Sequence, residues 1–432
     1  MNKVLIVTYY WPPAGGAGVQ RWLKFSKYLP EYGWEPVILT VDPTDATYPA
    51  LDYSLEKDIP RVLKIYKTKS TDWFRFYKRD KSKIPSAGFA SNSDKSLKGL
   101  LSRFIRGNFF IPDPRRGWNR HAIKEAVSII LKERISAVIS TSPPHSSQPI
   151  GLKLKKIFSG IQWIADLRDA WTDIYYYELF YPTFISKMID RHFEKSVLKN
   201  ADKIITVGHN LAENFKLKTP GIEGKVHFLP NGYDEEDFRG VRHEFPSRFT
   251  INYTGTLSEA YPVDSLLSAL GTIMNSGKDF LLQFVGFVPE SIKDKILKIL
   301  GTDKAVFIPY TDHQKAIGYM CRSSLLLIII PENRNNRAIT PGKVFEYIAA
   351  QKPVLYIGPV DGDAAYHLSQ SRPGGLFEAH DVNGIIRYIK REMIKCGQEI
   401  HDPHPEYSRK ALSQKLGSIF NDDQQTIFSP EE

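Results

Sequence analysis

The chain has 432 residues, enough for two or three domains with sizeable cores, and its 42% hydrophobic and 25% charged content excludes a disordered or fibrous protein. Its two cysteines, Cys321 and Cys396, lack metal-ligand spacing, which argues against a disulfide framework or a zinc site and for a reducing, cytoplasmic compartment. The net charge of +10 asks for an anionic partner or surface: a nucleotide, a lipid phosphate, an anionic membrane or nucleic acid.

Met1 to Val7 passes straight into a first strand, with no signal-peptide core, and no window approaches the roughly 18 continuous apolar residues of a membrane span. Val4 to Thr8 is that strand, Tyr9 to Ala17 a Pro/Gly-rich loop, Val19 to Leu29 a helix and Pro36 to Val41 the next strand, a βαβ unit opening on a glycine loop. Gly16-Ala17-Gly18 begins like a dinucleotide fingerprint, with Asp42 as a ribose acceptor. Arg21 stands where the third glycine belongs, so nicotinamide or flavin is disfavoured. Adjacent Gly15 and Gly16 give a turn that needs positive φ and lets a ligand approach the backbone.

Residues 44 to 95 are polar and weakly periodic and read as an insertion. From Ser96 to Phe110, Leu97, Leu100, Leu101, Phe104 and Ile105 share one helical stripe flanked by Lys95, Lys98, Arg103 and Arg106. Such a helix suits an anionic membrane surface through residues 96–110, or equally packing on its own domain with solvated flanks. Ile111 to Trp118 is a turn-rich segment placed to shape an acceptor site, followed by a helix from Asn119 to Glu133 and a strand from Ala137 to Ser140. Past that strand come Thr141-Ser142-Pro143-Pro144-His145-Ser146-Ser147, several hydrogen-bonding groups where open α/β sheets bind ligands. The strand Gln162 to Ala165 ends in Asp166-Leu167-Arg168-Asp169, either a self-satisfied ion network or a cleft lining in which Asp166 or Asp169 orients Arg168 toward phosphate. Lys203 to Val207 is a further strand, Pro230 to Asp234 closes the half, and polar residues 240 to 247 read as a linker.

The strand-loop-helix pattern restarts at Phe249 to Leu257 and repeats through Phe280–Gly286 and Val306–Tyr310. Leu325 to Ile330 is aliphatic without alternation, as in a parallel strand covered on both faces. A helix from Pro341 to Ala350 follows, with Thr340 as its cap and Pro341 in the first turn, and then a strand from Pro353 to Ile357. The helix start offers N–H groups to an anion, Gly342 permits close approach, Lys343 adds a charge, and Glu346 lies one turn deeper on the same face. A cation at the mouth and a carboxylate behind it suit a nucleoside diphosphate, phosphate on one and ribose hydroxyls on the other. The bland alternative is a solvated Lys/Glu surface pair. Pro405 to Phe420 is a terminal helix and residues 421 to 432 fray.

Thr340-Pro341-Gly342-Lys343-Val344-Phe345-Glu346-Tyr347, followed by Ala349-Ala350-Gln351-Lys352-Pro353-Val354, resembles the donor-binding helix of the retaining GT-B glycosyltransferases, glycosyltransferase family 4. Pro230-Asn231-Gly232-Tyr233-Asp234 resembles that family's interdomain signature, and the resemblance covers nearly the whole chain. It implies an α/β GT-B fold of two Rossmann-like domains facing across a cleft. Residues 1–240 would bind acceptor, 248–404 nucleotide sugar, and 405–432 would cross back to the first domain. It implies transfer of a sugar from a nucleotide-diphosphate sugar to an acceptor hydroxyl with retention, the acceptor a lipid-linked or cell-surface glycan, with no nucleic acid involved. The carried-over catalytic residues are His145, Asp166, Arg168 and Glu346. The donor-binding residues are Gly15, Gly16, Gly255, Arg337, Thr340, Gly342, Lys343 and Glu346. No Asp-x-Asp pair stands where a metal-dependent enzyme needs one, so no metal or other cofactor is expected, and the protein is placed in the cytoplasm, peripheral on the inner face of the membrane.

Two departures matter. Many members carry a glutamate where this chain has Ala338, and an Arg and a Lys after the glycine matching Gly255, where this chain has Ser258-Glu259-Ala260-Tyr261-Pro262. Arg334, Arg337 and Lys343 are then the cations left for the diphosphate, or the donor site is degenerate. A nucleotide-sugar epimerase or hydrolase on the same fold and an inactive donor-binding partner of a glycan assembly complex remain as alternatives.

Overall fold

Aliphatic strands without alternation must be covered on both faces, and a parallel sheet flanked by helices provides that cover. The computed structural model describes residues 1–71, 96–174, 176–243, 246–371, 375–395 and 404–421. They form two compact units, one from the described residues up to Asn231 together with those from Arg409, the other from Gly232 to Ser408. The insertion reading beyond residue 71, Lys95, Cys396 and the end after Asn421 lie outside the described residues.

In the first unit, β1 (Asn2–Val7), β2 (Trp34–Val41), β3 (Lys64–Thr68), β4 (Ala137–Ser142), β5 (Gln162–Leu167), β6 (Lys203–Thr206) and β7 (Val226–Phe228) form a parallel sheet ordered β3-β2-β1-β4-β5-β6-β7. β4 is buried at every position. The polar stretch after residue 44 is not wholly an insertion, because β3 is an edge strand. None of its residues is fully buried, and exposed and half-buried positions do not alternate, which leaves little hydrophobic period to read.

In the second unit, β8 (Thr250–Thr254), β9 (Leu281–Val285), β10 (Ala305–Ile308), β11 (Leu325–Ile329), β12 (Val354–Ile357) and β13 (Leu376–Phe377) run parallel in the order β10-β9-β8-β11-β12-β13. The aliphatic run divides between two cores. Leu325, Leu327 and Ile329 join the cluster with Ile251, Leu282 and Ile385, while Leu326, Ile328 and Ile330 join the one with Val344, Phe345 and Tyr347. Both units are thus Rossmann-like, each with strand order reversing at one place, β1/β4 and β8/β11, where open α/β sheets take ligands. Among the described residues no helix is long and apolar enough to cross a membrane.

The units divide at Asn231 and Gly232, ahead of the polar stretch 240–247, because Tyr233 is buried in the second unit's core and Phe238 and Val241 pack against it. The terminal segment divides likewise. Tyr407 belongs to that same core, whereas the helix Arg409–Asn421 puts Leu412, Leu416 and Phe420 into the first unit's core beside Trp34. Phe420 stacks on Trp34 with centroids 4.3 Å apart, and its carbonyl accepts from Gln162 Nε2 at 3.2 Å. Truncating a fully buried aromatic costs about 3–5 kcal/mol, so Phe420→Ala is expected to lower the first unit's unfolding free energy by that amount in a urea titration.

Candidate functional site

At the first unit's switch point the glycine loop runs from β1 into the helix Ala17–Tyr28. Gly16 has φ of +104°, which a side chain would strain, and Gly15 N–H donates to Ala50 O at 3.0 Å, tying the loop down. A Cβ on Gly18 would come within 2.7 Å of Arg168 Nη1, so glycine there lets the guanidinium lie against the helix start. Arg168 itself donates from Nε to Ser142 O at 3.0 Å and from Nη2 to Pro143 O at 3.1 Å. It is a placed cation at the mouth.

Asp166, expected among the catalytic groups, is beneath that mouth. It is fully buried, with Oδ1 accepting from Arg21 Nη2 at 3.0 Å and Oδ2 accepting from Trp22 Nε1 at 2.9 Å and Thr141 Oγ1 at 2.7 Å. These partners leave no oxygen facing a substrate, and the approach to Arg168 Nε is 3.9 Å, so Asp166 acts as a structural anchor instead. Arg21 completes the anchor by donating to Leu229 O, Pro230 O and Asn231 Oδ1 at 3.1, 2.9 and 3.3 Å. The residue that breaks the dinucleotide fingerprint is therefore an internal counter-ion tying the first helix to β5 and to the 229–231 turn. Asp42 fits the same conclusion, its Oδ1 being taken by Thr44 N at 2.9 Å and Thr44 Oγ1 at 2.7 Å.

His145 lies just past β4, its ring stacked on Trp171 at 4.9 Å with both nitrogens shielded from solvent. Burial pushes its pKa down to about 4, against the weaker pull of Asp113 and the Ala170 backbone. The imidazole is thus neutral across physiological pH, able to exchange hydrogen bonds with a hydroxyl and poorly suited to take its proton. Asp113 holds the turn beneath it, accepting from Ser146 N at 2.7 Å and Ser146 Oγ at 2.9 Å. Trp171 in turn donates to Asp190 Oδ1 at 2.7 Å. Burial raises Asp190 to about 7.

At the second unit's switch point the helix is Lys343–Ala349, and Gly342, not Thr340, stands at its cap position with no side-chain bond. The expected cap fails because the first turn starts at Pro341, where Val344 N–H bonds to Pro341 O at 3.0 Å, leaving Thr340 outside. Thr340 Oγ1 is buried without a partner among the described residues, and so is Ser258 Oγ in the facing loop after β8. The two loops meet where Glu332 N–H reaches Ala260 O at 3.4 Å.

Lys343 reaches back to the end of β8. Its Nζ donates to Thr254 O at 3.0 Å and sits 3.4 Å from the centre of the Tyr253 ring, while Tyr347, one turn on, accepts from Thr254 N–H at 2.9 Å. One helix face thus clasps both backbone groups of Thr254. Gly255 follows with φ of +116°, and a Cβ there would lie 3.7 Å from Lys343 Nζ. Burial pulls Lys343 down to about 7, with Glu346 the opposing influence. Glu346 has its Oε1 3.9 Å from His313 Nδ1, and His313 Nε2 lies 3.3 Å from Asp237 Oδ2. Arg337, expected as counter-charge, is exposed and ion-paired with Asp361 at 2.8 Å. Arg334 is exposed.

No protein-family model and no curated protein matches the chain. Solved structures do. Sucrose-phosphate synthase from Thermosynechococcus elongatus superposes with a TM-score of 0.62 at 14% identity, over 99% of this chain and 100% of that one. The lipopolysaccharide outer core galactosyltransferase WaaB gives 0.55 at 12%, over 99% and 100%. A candidate UDP-N-acetylglucosamine 2-epimerase from Listeria monocytogenes gives 0.53 at 13%, over 100% and 98%. The chain has the GT-B fold. Synthase, galactosyltransferase and epimerase share that GT-B scaffold, so the reaction must be argued from the side chains.

Sequence reasoning missed Arg21, Asp113, Trp171, Tyr253 and Tyr347. Tyr347 alone had a local signal, its place four residues after Lys343; the others act through contacts distant in sequence. Removing one member of a buried ion pair costs about 3–5 kcal/mol. Asp166→Ala is therefore expected to lower stability by that much in chemical denaturation, whereas an Asp with only a catalytic role would leave the melting curve unmoved.

Proposed function

We propose that the chain is a metal-independent glycosyltransferase, moving a sugar from a nucleotide-diphosphate sugar to the hydroxyl of a lipid-linked or cell-surface glycan with retention, in the cytoplasm at the inner face of the membrane. The observation that carries this reading is Lys343, a lysine held near neutrality at the second unit's switch point beside Gly255. A diphosphate brings about two to three negative charges, and in a site with little water a single fixed cation is worth far more than on a surface. Glu346, one turn deeper, accepts from ribose hydroxyls.

As the glycosidic bond to the diphosphate breaks, negative charge grows on the leaving oxygen, and Lys343 stabilises it. The acceptor attacks from the face the leaving group occupies, and a donor phosphate oxygen takes its proton. A neutral His145 then serves as a hydrogen-bonding group toward the sugar. Arg337 adds charge by leaving Asp361, since an exposed pair holds weakly against a phosphate.

Ala338 and the missing cations after Gly255 favour, as the second reading, a chain that binds donor without turning it over. Nucleotide release from a panel of nucleotide sugars, with and without acceptor extract, separates the readings. Release that needs acceptor is the transferase result; release without acceptor is that of an epimerase or hydrolase; tight binding with no release is that of an inactive partner. Under the transferase reading Lys343→Ala and Glu346→Ala each lower kcat/KM by about 10²–10³. Because Lys343 loses its proton near pH 7 and bound phosphate holds that proton on, affinity for a nucleoside diphosphate falls as pH rises above 7. The dissociation constant at pH 8.5 is expected to be about tenfold or more above that at pH 6.5, and Lys343→Met to flatten the profile.

A further inference from the structure

The carboxylate proposed to meet ribose has a neighbour that the donor chemistry does not use. His313 is the first residue of the helix His313–Cys321, which Asp312 caps by accepting from Lys315 N–H at 2.9 Å. That helix follows β10 as the helix Lys343–Ala349 follows β11, so both begin at the carboxyl edge of one parallel sheet, the edge where such sheets take ligands. His313 Nδ1 lies 3.9 Å from Glu346 Oε1, within ion-pair reach, and Nε2 lies 3.3 Å from Asp237 Oδ2. The imidazole thus stands between two carboxylates, and it donates to both when each ring nitrogen carries a proton.

Asp237 steadies the ring from behind. It belongs to the short helix Glu235–Phe238, capped by Asp234 Oδ1 accepting from Glu236 N–H at 3.2 Å and held against the second unit's core by Phe238. Glu235 and Glu236 on that helix are exposed, whereas Asp237 is turned inward and buried. A buried carboxylate needs partners, and the imidazole supplies one. Of the three side chains Glu346 is the most open, at 16% against 10% for His313 and 8% for Asp237, so the row of carboxylate, imidazole and carboxylate runs inward from Glu346. One bond from His313 would serve Asp237; it is the second nitrogen, turned to Glu346, that makes the ring a guide for that side chain. A glutamate free to turn loses rotamer freedom when it grips a ligand, and a neighbour that holds it beforehand removes that cost.

We propose that His313 is a positioning residue that holds the Glu346 carboxylate toward the ribose hydroxyls, and so sets a preference for ribonucleotides over nucleotides that lack those hydroxyls. The proposal rests on the donor reading of Glu346 and adds to it a residue and a specificity. His313 acts through Glu346, while the diphosphate is assigned to Lys343, so ribose preference and phosphate affinity are separable. All the residues concerned belong to the second unit.

Calorimetric titration of the full chain tests it, with the uridine, adenosine, guanosine and cytidine diphosphates, the corresponding dideoxynucleoside diphosphates, which lack both hydroxyls, and inorganic pyrophosphate. The wild-type chain is expected to bind its preferred ribonucleoside diphosphate at least about tenfold more tightly than the dideoxy form, because a site built to bond a hydroxyl rejects the analogue without it. His313→Gln, whose amide reaches the Nε2 position and keeps Asp237 partnered, is expected to bring that ratio below about threefold with pyrophosphate affinity unchanged. His313→Asn, whose amide nitrogen takes the place of Nδ1, is expected to keep the wild-type ratio. Glu346→Ala abolishes the ratio, and His313→Gln added to it changes nothing further. A ribose preference that survives His313→Gln, a His313→Asn variant that loses it, or an equal loss for every ligand, pyrophosphate included, overturns the proposal. No binding of any ribonucleoside diphosphate by the wild-type chain removes the donor reading together with this one. A preference lost in Glu346→Ala but kept in His313→Gln removes this one alone.

Discussion

A half-buried lysine, its ammonium against the Thr254 carbonyl and over the Tyr253 ring, is the interaction on which the chemistry proposed for the second unit rests. Thr254 is the last residue of β8, and Lys343 comes from the helix after β11, the neighbouring strand, so the contact spans the place where strand order reverses. The fold thus sets a cation at the proposed anion-binding mouth and, through burial, holds it near the point of losing a proton, with a pKa of about 7. An anionic ligand would favour the charged form and gain affinity from it.

The first unit solves the corresponding problem differently. Its switch point is fixed from below by Arg21 and Asp166, a pair wholly out of solvent whose other bonds go to Trp22, Thr141, the Leu229 and Pro230 carbonyls and Asn231 Oδ1. A pair held this way contributes placement rather than reactivity. Above it stand Arg168, laid against Gly18, and His145, stacked on Trp171. Trp171 also donates to Asp190 on the buried face of the helix Phe184–Asn200, so that helix supports the ring proposed to meet sugar.

Much of this was legible in the sequence because it is local. The aliphatic run 325–330, the glycines after the first strand and the Pro-Gly-Lys start of a helix each declare a strand, a turn or an anion-facing terminus within a few residues. The helix 97–109 was legible too, through its 3.6-residue stripe. What failed was whatever depends on a partner far along the chain. Thr340 looks like a cap until the first turn is seen to begin at Pro341, and Arg337 looks like spare charge until Asp361 is found beside it. Asp166 reads as reactive because the three partners of its carboxylate lie 25 to 145 residues away.

The central claim is that Lys343 is a titrating cation whose proton is stabilised by a bound diphosphate. Nuclear magnetic resonance titration of the Lys343 ε-methylene carbon tests it most directly, in the free chain and with saturating nucleoside diphosphate. The account predicts a midpoint near 7 in the free protein and a clear upward displacement on binding. A midpoint close to the ordinary lysine value of 10.5 in the free chain, or one that nucleotide leaves unmoved, would contradict it.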